Sequence, residues 1–427
     1  MTVEASTQPP STATSPVISP IRIPDFRLLW LGATAVSLGV QFYSVALVWL
    51  VLYLTGSGLQ LGALLTVAAI PRAISMLLSG ALIDRYPPRQ ILIISSLFNG
   101  ILMSIVVLLL GGGWMSMTTL FIVAPITGLM DAIFYPTNTA LIPRLVDKAR
   151  LAPANALIQT ADTLANIAGP SLGGILIGEV GRLTGTPEAG LMAGFAVNTV
   201  LFALGFLVFL NLSRKTDKAT VSPDEKPEPL GKAVVSGIRY ALTKPPIRIS
   251  LLLIALLNFA AIGPIVVGGA LLVERRFGGD ATMYGIMTGA FGIGSLVGAF
   301  LISLMGEIKR PGMTLVYTAF ALAVGLFTLG FAPSFWVAFG VCFMIGVFGS
   351  ITNINAVTWL QIKTDMHMQG RIASLVVFAA VALDPFSNAI SGAIAEFDVT
   401  LLFCAAGALV GIGGIVALFN PTLREER

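Results

Sequence analysis

GALIDRYPPRQILI, residues 80–93, closes one apolar stretch and starts another. Between the two stand Asp84, Arg85 and Arg89, beside Pro87 and Pro88. Charge is scarce elsewhere in the chain. Asp, Glu, Lys and Arg make up 11% of the 427 residues and apolar types 56%, whereas an ordinary soluble protein is about 25% charged. A brief charged turn between long apolar stretches fits a chain that crosses a bilayer, turns in water and crosses back.

Working outward from that turn, apolar stretches recur at 27–54, 59–83, 90–110, 114–140, 153–178 and 190–211, then at 247–273, 281–305, 311–330, 334–360, 370–395 and 399–419. Each is long enough to cross roughly 30 Å of hydrocarbon as a helix. The expected fold class is an all-α integral membrane protein with twelve transmembrane helices in two six-helix halves. The expected divisions are a tail at 1–26, a first half at 27–211, a linker at 212–246, a second half at 247–419 and a tail at 420–427. The linker is polar and Pro-containing at first, and GKAVVSGIRYAL (231–242) has the pattern of a short amphipathic helix lying on a leaflet. Residues 1–20 are rich in Ser, Thr and Pro and read as a disordered tail, not a cleaved signal.

Charge placement orients the spans. Of 25 Lys and Arg residues, 21 lie in the termini or in the loops after spans 2, 4, 6, 8 and 10; the others are Arg72, Arg182, Arg275 and Arg276. The positive-inside rule therefore places both termini in the cytoplasm, which also accounts for the basic pI without nucleic acid as a partner. Cys342 and Cys404 fall in apolar stretches and read as buried small side chains. His367, a single loop histidine, is no metal set, so no metal or cofactor is expected. No Gly-rich phosphate loop ends in Lys-Ser or Lys-Thr, which argues against a nucleotide-driven pump. No clustered nucleophile, base or metal set suggests an enzyme.

The two halves echo each other. GALIDRYPPRQILI after span 2 has a counterpart in GAFLISLMGEIKRPGMTL after span 8, and IPRLVDKARLAPANAL after span 4 in LQIKTDMHMQGRIASL after span 10. Fusion of two six-helix repeats explains the echoes.

Gly80, Asp84, Arg85, Pro88 and Arg89 resemble the signature of the major facilitator superfamily between its helices 2 and 3. A proline stands near the usual second Gly, and Gln90 replaces the last basic residue. IPDFRLLWLG (23–32), ALIPRLVDKARLAPANALIQTADTLANIAGPSLGGILIG (140–178) and GRIASL (370–375) resemble bacterial exporters of the macrolide-efflux and enterobactin-exporter type, which are drug:proton antiporters. The resemblance implies a monomer in a bacterial cytoplasmic (inner) membrane, with membrane lipids, protons and an amphipathic small molecule as partners. It also implies that Asp84 approaches Arg371 at the start of span 11 when the cytoplasmic side shuts, so Gly80, Asp84, Arg85, Arg89 and Arg371 form the expected gate.

Gly169, Pro170, Gly173 and Gly174 in AGPSLGGILIG resemble the Gly-Pro antiporter motif, and Gly285, Gly289 and Gly294 in span 8 permit close backbone contact. The resemblance makes spans 5 and 8 neighbours between the halves, so these residues are expected at a moving interface. Four ionisable residues fall within spans: Arg72, Asp131, Asp162 and Asp384. Such residues face protein or water and mark functional sites. Arg72 and Asp384 are expected to pair, each beside a proline; alternatively Asp384 carries the coupling proton. Asp131 and Asp162 are candidates for substrate binding or proton carriage, with a structural hydrogen-bonding role as the alternative. Gln41, Tyr43, Asn258, Phe259, Asn353 and Asn355 mix apolar and orienting groups and suit an amphipathic organic molecule. The reading is a secondary transporter that exports such a compound by alternating access in exchange for protons. The alternatives are a lipid, lysolipid or nutrient carrier of the same fold, or a receptor or membrane enzyme.

Overall fold

Helix ends are written into the sequence by proline and by capping side chains. The computed structural model describes residues 19–213, 238–305, 310–365 and 368–420, with the side chains at 76–81, 84, 85, 246, 305, 370, 371, 373 and 374 not among those described. Helix α1 (Pro24–Thr55) starts on a proline, which suits a first turn whose N–H would have no helical partner. It stops at Gly56, whose φ of 59° is left-handed and favours glycine. Ser57 then caps α2 (Gly58–Arg85) by accepting from the Gln60 amide at 3.3 Å. Helices α3 (Pro88–Gly111), α4 (Met117–Leu145), α5 (Leu151–Thr184) and α6 (Pro187–Leu210) follow. Ser116 caps α4, and Gly185, at φ 74°, ends α5.

Helix α7 (Pro245–Gly263) continues without a break to Arg276 through two π-helical segments, Pro264–Gly268 and Leu272–Arg276. Pro264 has no N–H for the normal ladder, and a wide turn at that point absorbs the defect. Next come α8 (Ala281–Met305), α9 (Pro311–Gly330) and α10 (Phe335–Lys363). The stretch at 370–395, expected as one helix, is two: α11 (Gln369–Val381) and α12 (Asp384–Phe397). Pro385 explains the correction. Its ring lacks the amide that would bond the Val381 carbonyl and crowds that carbonyl, so the chain turns at 382–383 and restarts with Asp384 in the first turn of α12. Asp398 caps α13 (Val399–Leu418), accepting from Thr400 N at 2.6 Å and Leu401 N at 3.3 Å.

Among the described residues, eleven helical stretches are long and apolar enough to cross a membrane, so the protein is an all-α, multi-pass membrane protein. Helix α5 is not one of the eleven, although it has 34 residues. Its first half carries Gln159, Thr160, Asp162, Thr163 and Asn166.

Packing is dense among α1–α6 and again among α7–α13, and the principal contacts between the groups are α5 on α8 and α2 on α12. At the end of the molecule away from Gly56, Arg89 donates to the Leu210 and Leu212 carbonyls, both at 2.8 Å, and so satisfies the last turn of α6. At that same end Tyr240, in the helical stretch 238–243, donates to Asp365 at 2.9 Å. The rest of the expected amphipathic helix at 231–242, and His367, lie outside the described residues.

Candidate functional site: two helix crossings and a charged row

The α5–α8 crossing is built from backbone. A Cβ on Gly174 would collide with the Ala281 carbonyl, and one on Gly285 with the Pro170 carbonyl. Gly178 faces Thr282, Gly289 faces Ser171, and Gly292 faces Ile167. Ser171 donates to the Gly285 carbonyl at 3.0 Å, and Trp49 of α1 stacks on Tyr284 of α8 at 6.1 Å between centroids. Large side chains do not interlock here, so the helices approach closely.

The expected stripe needs correction at three positions. Gly169 packs on Gln41 and Gly173 on Phe42, both in α1, while Gly294 packs on the Phe343 carbonyl of α10. With about 3.6 residues per turn, Pro170, Gly174 and Gly178 share one face, and Gly169 and Gly173 lie about 100° around from it.

The α2–α12 crossing uses glycine too. A Cβ on Gly62 would lie 2.8 Å from the Gly392 Cα, and one on Gly392 would lie 2.9 Å from the Gly62 Cα. Thr66 donates to the Pro385 carbonyl at 2.8 Å. Beyond the glycines sits a charged latch. The Glu396 carboxylate accepts from Gly58 N at 2.7 Å, Leu59 N at 3.2 Å and the Ser57 hydroxyl at 3.2 Å, covering the free amides at the start of α2. Arg275 donates to the Gly56 carbonyl at 2.8 Å and meets the Glu396 carboxylate at 3.4 Å. Glu396, Gly62 and Gly392 are not among the residues singled out from the sequence. The four-residue spacing in GLQLG (58–62) was the available signal.

Among the described residues, the hydrogen bonds joining α1–α6 to α7–α13 all lie at these two crossings, in the half nearer Gly56. The side chains of Asp84, Arg85 and Arg371, and Gly80, fall outside the described set. Arg89 is described, and it is committed to the end of α6.

The intramembrane charges form a row near the middle of the helices. Arg72 rests beside Gly128 of α4, and its charge is felt at both Asp131 and Asp384. It reaches salt-bridge distance of neither among the described residues. Arg72 therefore lies within electrostatic reach of two carboxylates and closes a salt bridge with neither among the described residues. One Asp384 carboxylate oxygen is buried without a hydrogen-bond partner. Asp162, buried between α5 and α1, accepts from Ser37 at 2.5 Å through one oxygen, and its other oxygen has no partner. The exposed Tyr135 lies within reach of the Asp162 charge.

The expected cavity residues separate. Gln41 donates to Asn166 of α5 at 2.5 Å, and Asn353 is exposed. Asn258 is half-buried and bonds within its own helix to the Ile254 carbonyl, while the Phe259 carbonyl accepts from Ser387 at 2.6 Å. Tyr43 and Asn355 turn inward. Tyr43 lies 2.9 Å from Thr127, and buried Asn355 donates to the Pro311 carbonyl at 2.8 Å. Asn353 and Asn355 are two residues apart on one helix, about 200° around its axis, so they cannot line the same wall. Among the described residues no group of His, Cys, Asp or Glu is arranged to hold a metal.

The family described as transmembrane secretion effector matches residues 14–426. The multidrug efflux pump Tap of Mycolicibacterium fortuitum is 23% identical over 411 residues, covering 93% of this chain and 96% of Tap. The enterobactin exporter EntS of Escherichia coli is 26% identical over 413 residues, covering 95% and 94%. A bacterial homologue of the iron transporter ferroportin, solved in its inward-facing state, superposes with a TM-score of 0.69 at 20% identity, covering 94% of this chain and 99% of that one.

Proposed function

Because the chain belongs to the transmembrane secretion effector family, we propose that it exports an amphipathic organic compound in exchange for protons. The chain is a secondary-active transporter of the major facilitator type, working by alternating access, and not an enzyme. In the proposed arrangement the membrane is crossed twelve times in two six-helix halves. Helix α5 supplies the crossing that apolarity alone does not count, and α11 with α12 forms one broken span. Both termini face the cytoplasm of a bacterial inner membrane, as the positive-inside rule requires.

One observation carries the reading. Two glycine crossings and the Glu396–Arg275 latch hold one end together, while Arg72, mid-helix in α2, lies within electrostatic reach of Asp131 and Asp384. With the termini in the cytoplasm, the joined end is the outer one and the state is inward-facing. A compound from the cytoplasm then reaches the charged row, and reversal requires the two crossings to part. Protonation of a carboxylate changes the charge that Arg72 meets, so proton and substrate can compete for one row. Tap and EntS are an efflux pump and an exporter by name, which supports the outward direction. Asp84 and Arg371 are proposed to join when the opposite end shuts.

The test is flux in proteoliposomes holding the purified protein, with fluorescent cations, macrolides, siderophores and lysolipids offered with and without a pH gradient. Flux that follows the gradient and falls in Asp131→Asn, Asp162→Asn or Asp384→Asn is the expected result. Flux indifferent to the gradient removes proton exchange, and flux of lysolipid alone moves the reading to a lipid carrier.

A further inference from the structure

Inside α1–α6, beside Asp131, lies a small space whose Asn99 and Asn198 walls the proposed transport steps do not use. Its polar walls are Tyr43 of α1, Asn99 of α3, Thr127 and Asp131 of α4 and Asn198 of α6, and apolar side chains complete the lining. Its volume of about 10 Å³ is that needed to seat one water molecule.

The wall chemistry is specific. Asn99 and Asn198 are 2% and 1% exposed. The Asn198 amide nitrogen donates to the Gly39 carbonyl at 2.6 Å, which fixes the orientation of its oxygen. That oxygen has no partner, and neither does the Asn99 amide nitrogen. A buried polar atom left this way is unfavourable, and here one orphan is a donor and the other an acceptor. The Tyr43 hydroxyl, 2.9 Å from Thr127, lies in the field of Asp131. A cation fits poorly, because the Asn99 amide would present hydrogen to it and Arg72 already supplies positive charge nearby. Water fits: it accepts from Asn99 and has two hydrogens to give, one to Asn198 and one to the Asp131 carboxylate.

We propose that one ordered water occupies this space and ties the Asp131 carboxyl to Asn99 and Asn198. Asn99 and Asn198 are then positioning residues that act on Asp131 through the water. The inference rests on the reading of proton-coupled transport only for its consequence; the site itself does not require it. A water that donates to the carboxylate favours its charged form. Drying the space makes Asp131 keep its proton to higher pH, so the pH dependence of transport moves. The other titratable group lining this space is Tyr43 of α1, and the charge of Arg72 of α2 reaches Asp131 and also Asp384 of α12; Asp162 of α5 does not line it and influences Tyr135 of α4.

The first test is the full-length protein at a resolution where buried waters are seen. Density within hydrogen-bonding distance of the Asn99 nitrogen and the Asn198 oxygen is expected. An empty space, with equally buried waters visible elsewhere, overturns the proposal. The second test is the pH profile of flux in Asn99→Leu. An upward shift of about one pH unit, equivalent to a tenfold change in proton affinity, is expected, with Asn99→Ser, which keeps a polar group at that wall, shifted less. An unchanged midpoint in folded Asn99→Leu removes the positioning role. If wild-type flux ignores the pH gradient while the density is present, proton coupling fails and the water site stands.

Discussion

The α5–α8 and α2–α12 crossings close the same end of the molecule with different chemistry. At α5–α8, backbone meets backbone through Gly174, Gly285 and Gly289, with hydrogen bonds from Ser171 and Thr282. At α2–α12 the same glycine approach, Gly62 against Gly392, is extended by a carboxylate and a guanidinium. Close-packed glycine depends on shape and short-range attraction, and those contacts fade within an ångström or two. A charge on a helix start acts over a longer range and is weakened by water and salt. The first crossing therefore behaves as a bearing and the second as a catch that water can help release.

Substitutions can separate the two. The largest effect is expected from Gly174→Leu, whose side chain has only the Ala281 carbonyl and the Gly285 backbone to occupy. Overpacking of this kind costs about 1–3 kcal/mol, so transport should fall by between about fivefold and about a hundredfold. Spin labels placed across the joined end should also move apart. Unchanged label distances would show that this contact does not hold the closed state. Gly62→Leu should open the second crossing with a similar loss of flux, read from the same label pair.

Glu396→Gln comes next. It keeps the shape but removes the charge facing Gly58 N, Leu59 N and Arg275, and a helix-start charge contributes about 0.3–1 kcal/mol. The closed population should drop severalfold at low salt and less at high salt. A salt-independent change would break the catch description. Gly173→Ala should be nearly silent in flux, because its Cβ sits 3.4 Å from the Phe42 Cα, an ordinary contact away from α8. The smallest effect concerns Asp398. The backbone amides of Thr400 and Leu401 and the Thr400 hydroxyl hold its carboxyl below the usual range. A depressed carboxyl stabilises the fold above its unfolded-state value, and that stability is lost as pH falls through the folded value. Asp398→Asn should therefore lower the thermal midpoint slightly and equally between about pH 6 and 8, with the gap closing only in acid.

The multi-pass helical fold was legible because apolar length and proline punctuation are local properties. Positions such as Pro88, Pro311 and Ser57 mark helix starts by themselves. Pro385 made a kink legible but not the full break after Val381, since a proline kinks or breaks a helix according to what surrounds it. The site was harder to read. Which glycines meet another helix depends on rotation about the axis: one step from Gly174 to Gly173 exchanges α8 for α1. Asn355 and Tyr43 look like cavity residues in sequence because polarity inside a span is visible and direction is not. Glu396 was not legible for a related reason, as a lone acid at a helix end acquires meaning only from the amides of α2 that face it.

The two π-helical turns of α7 end on adjacent arginines with different attachments. Arg276 donates to the Gly330 carbonyl and the Thr400 hydroxyl, both at 2.6 Å. Arg275 reaches the Gly56 carbonyl and Glu396. The boundary between what stays together and what separates thus runs between neighbouring residues of one chain. When the end opens, Arg276 keeps its partners and travels with α9 and α13, while Arg275 gives up Gly56. A strand of linked residues is normally too soft to mark such a line. Here the widened helical turns let one short segment serve as both anchor and parting edge.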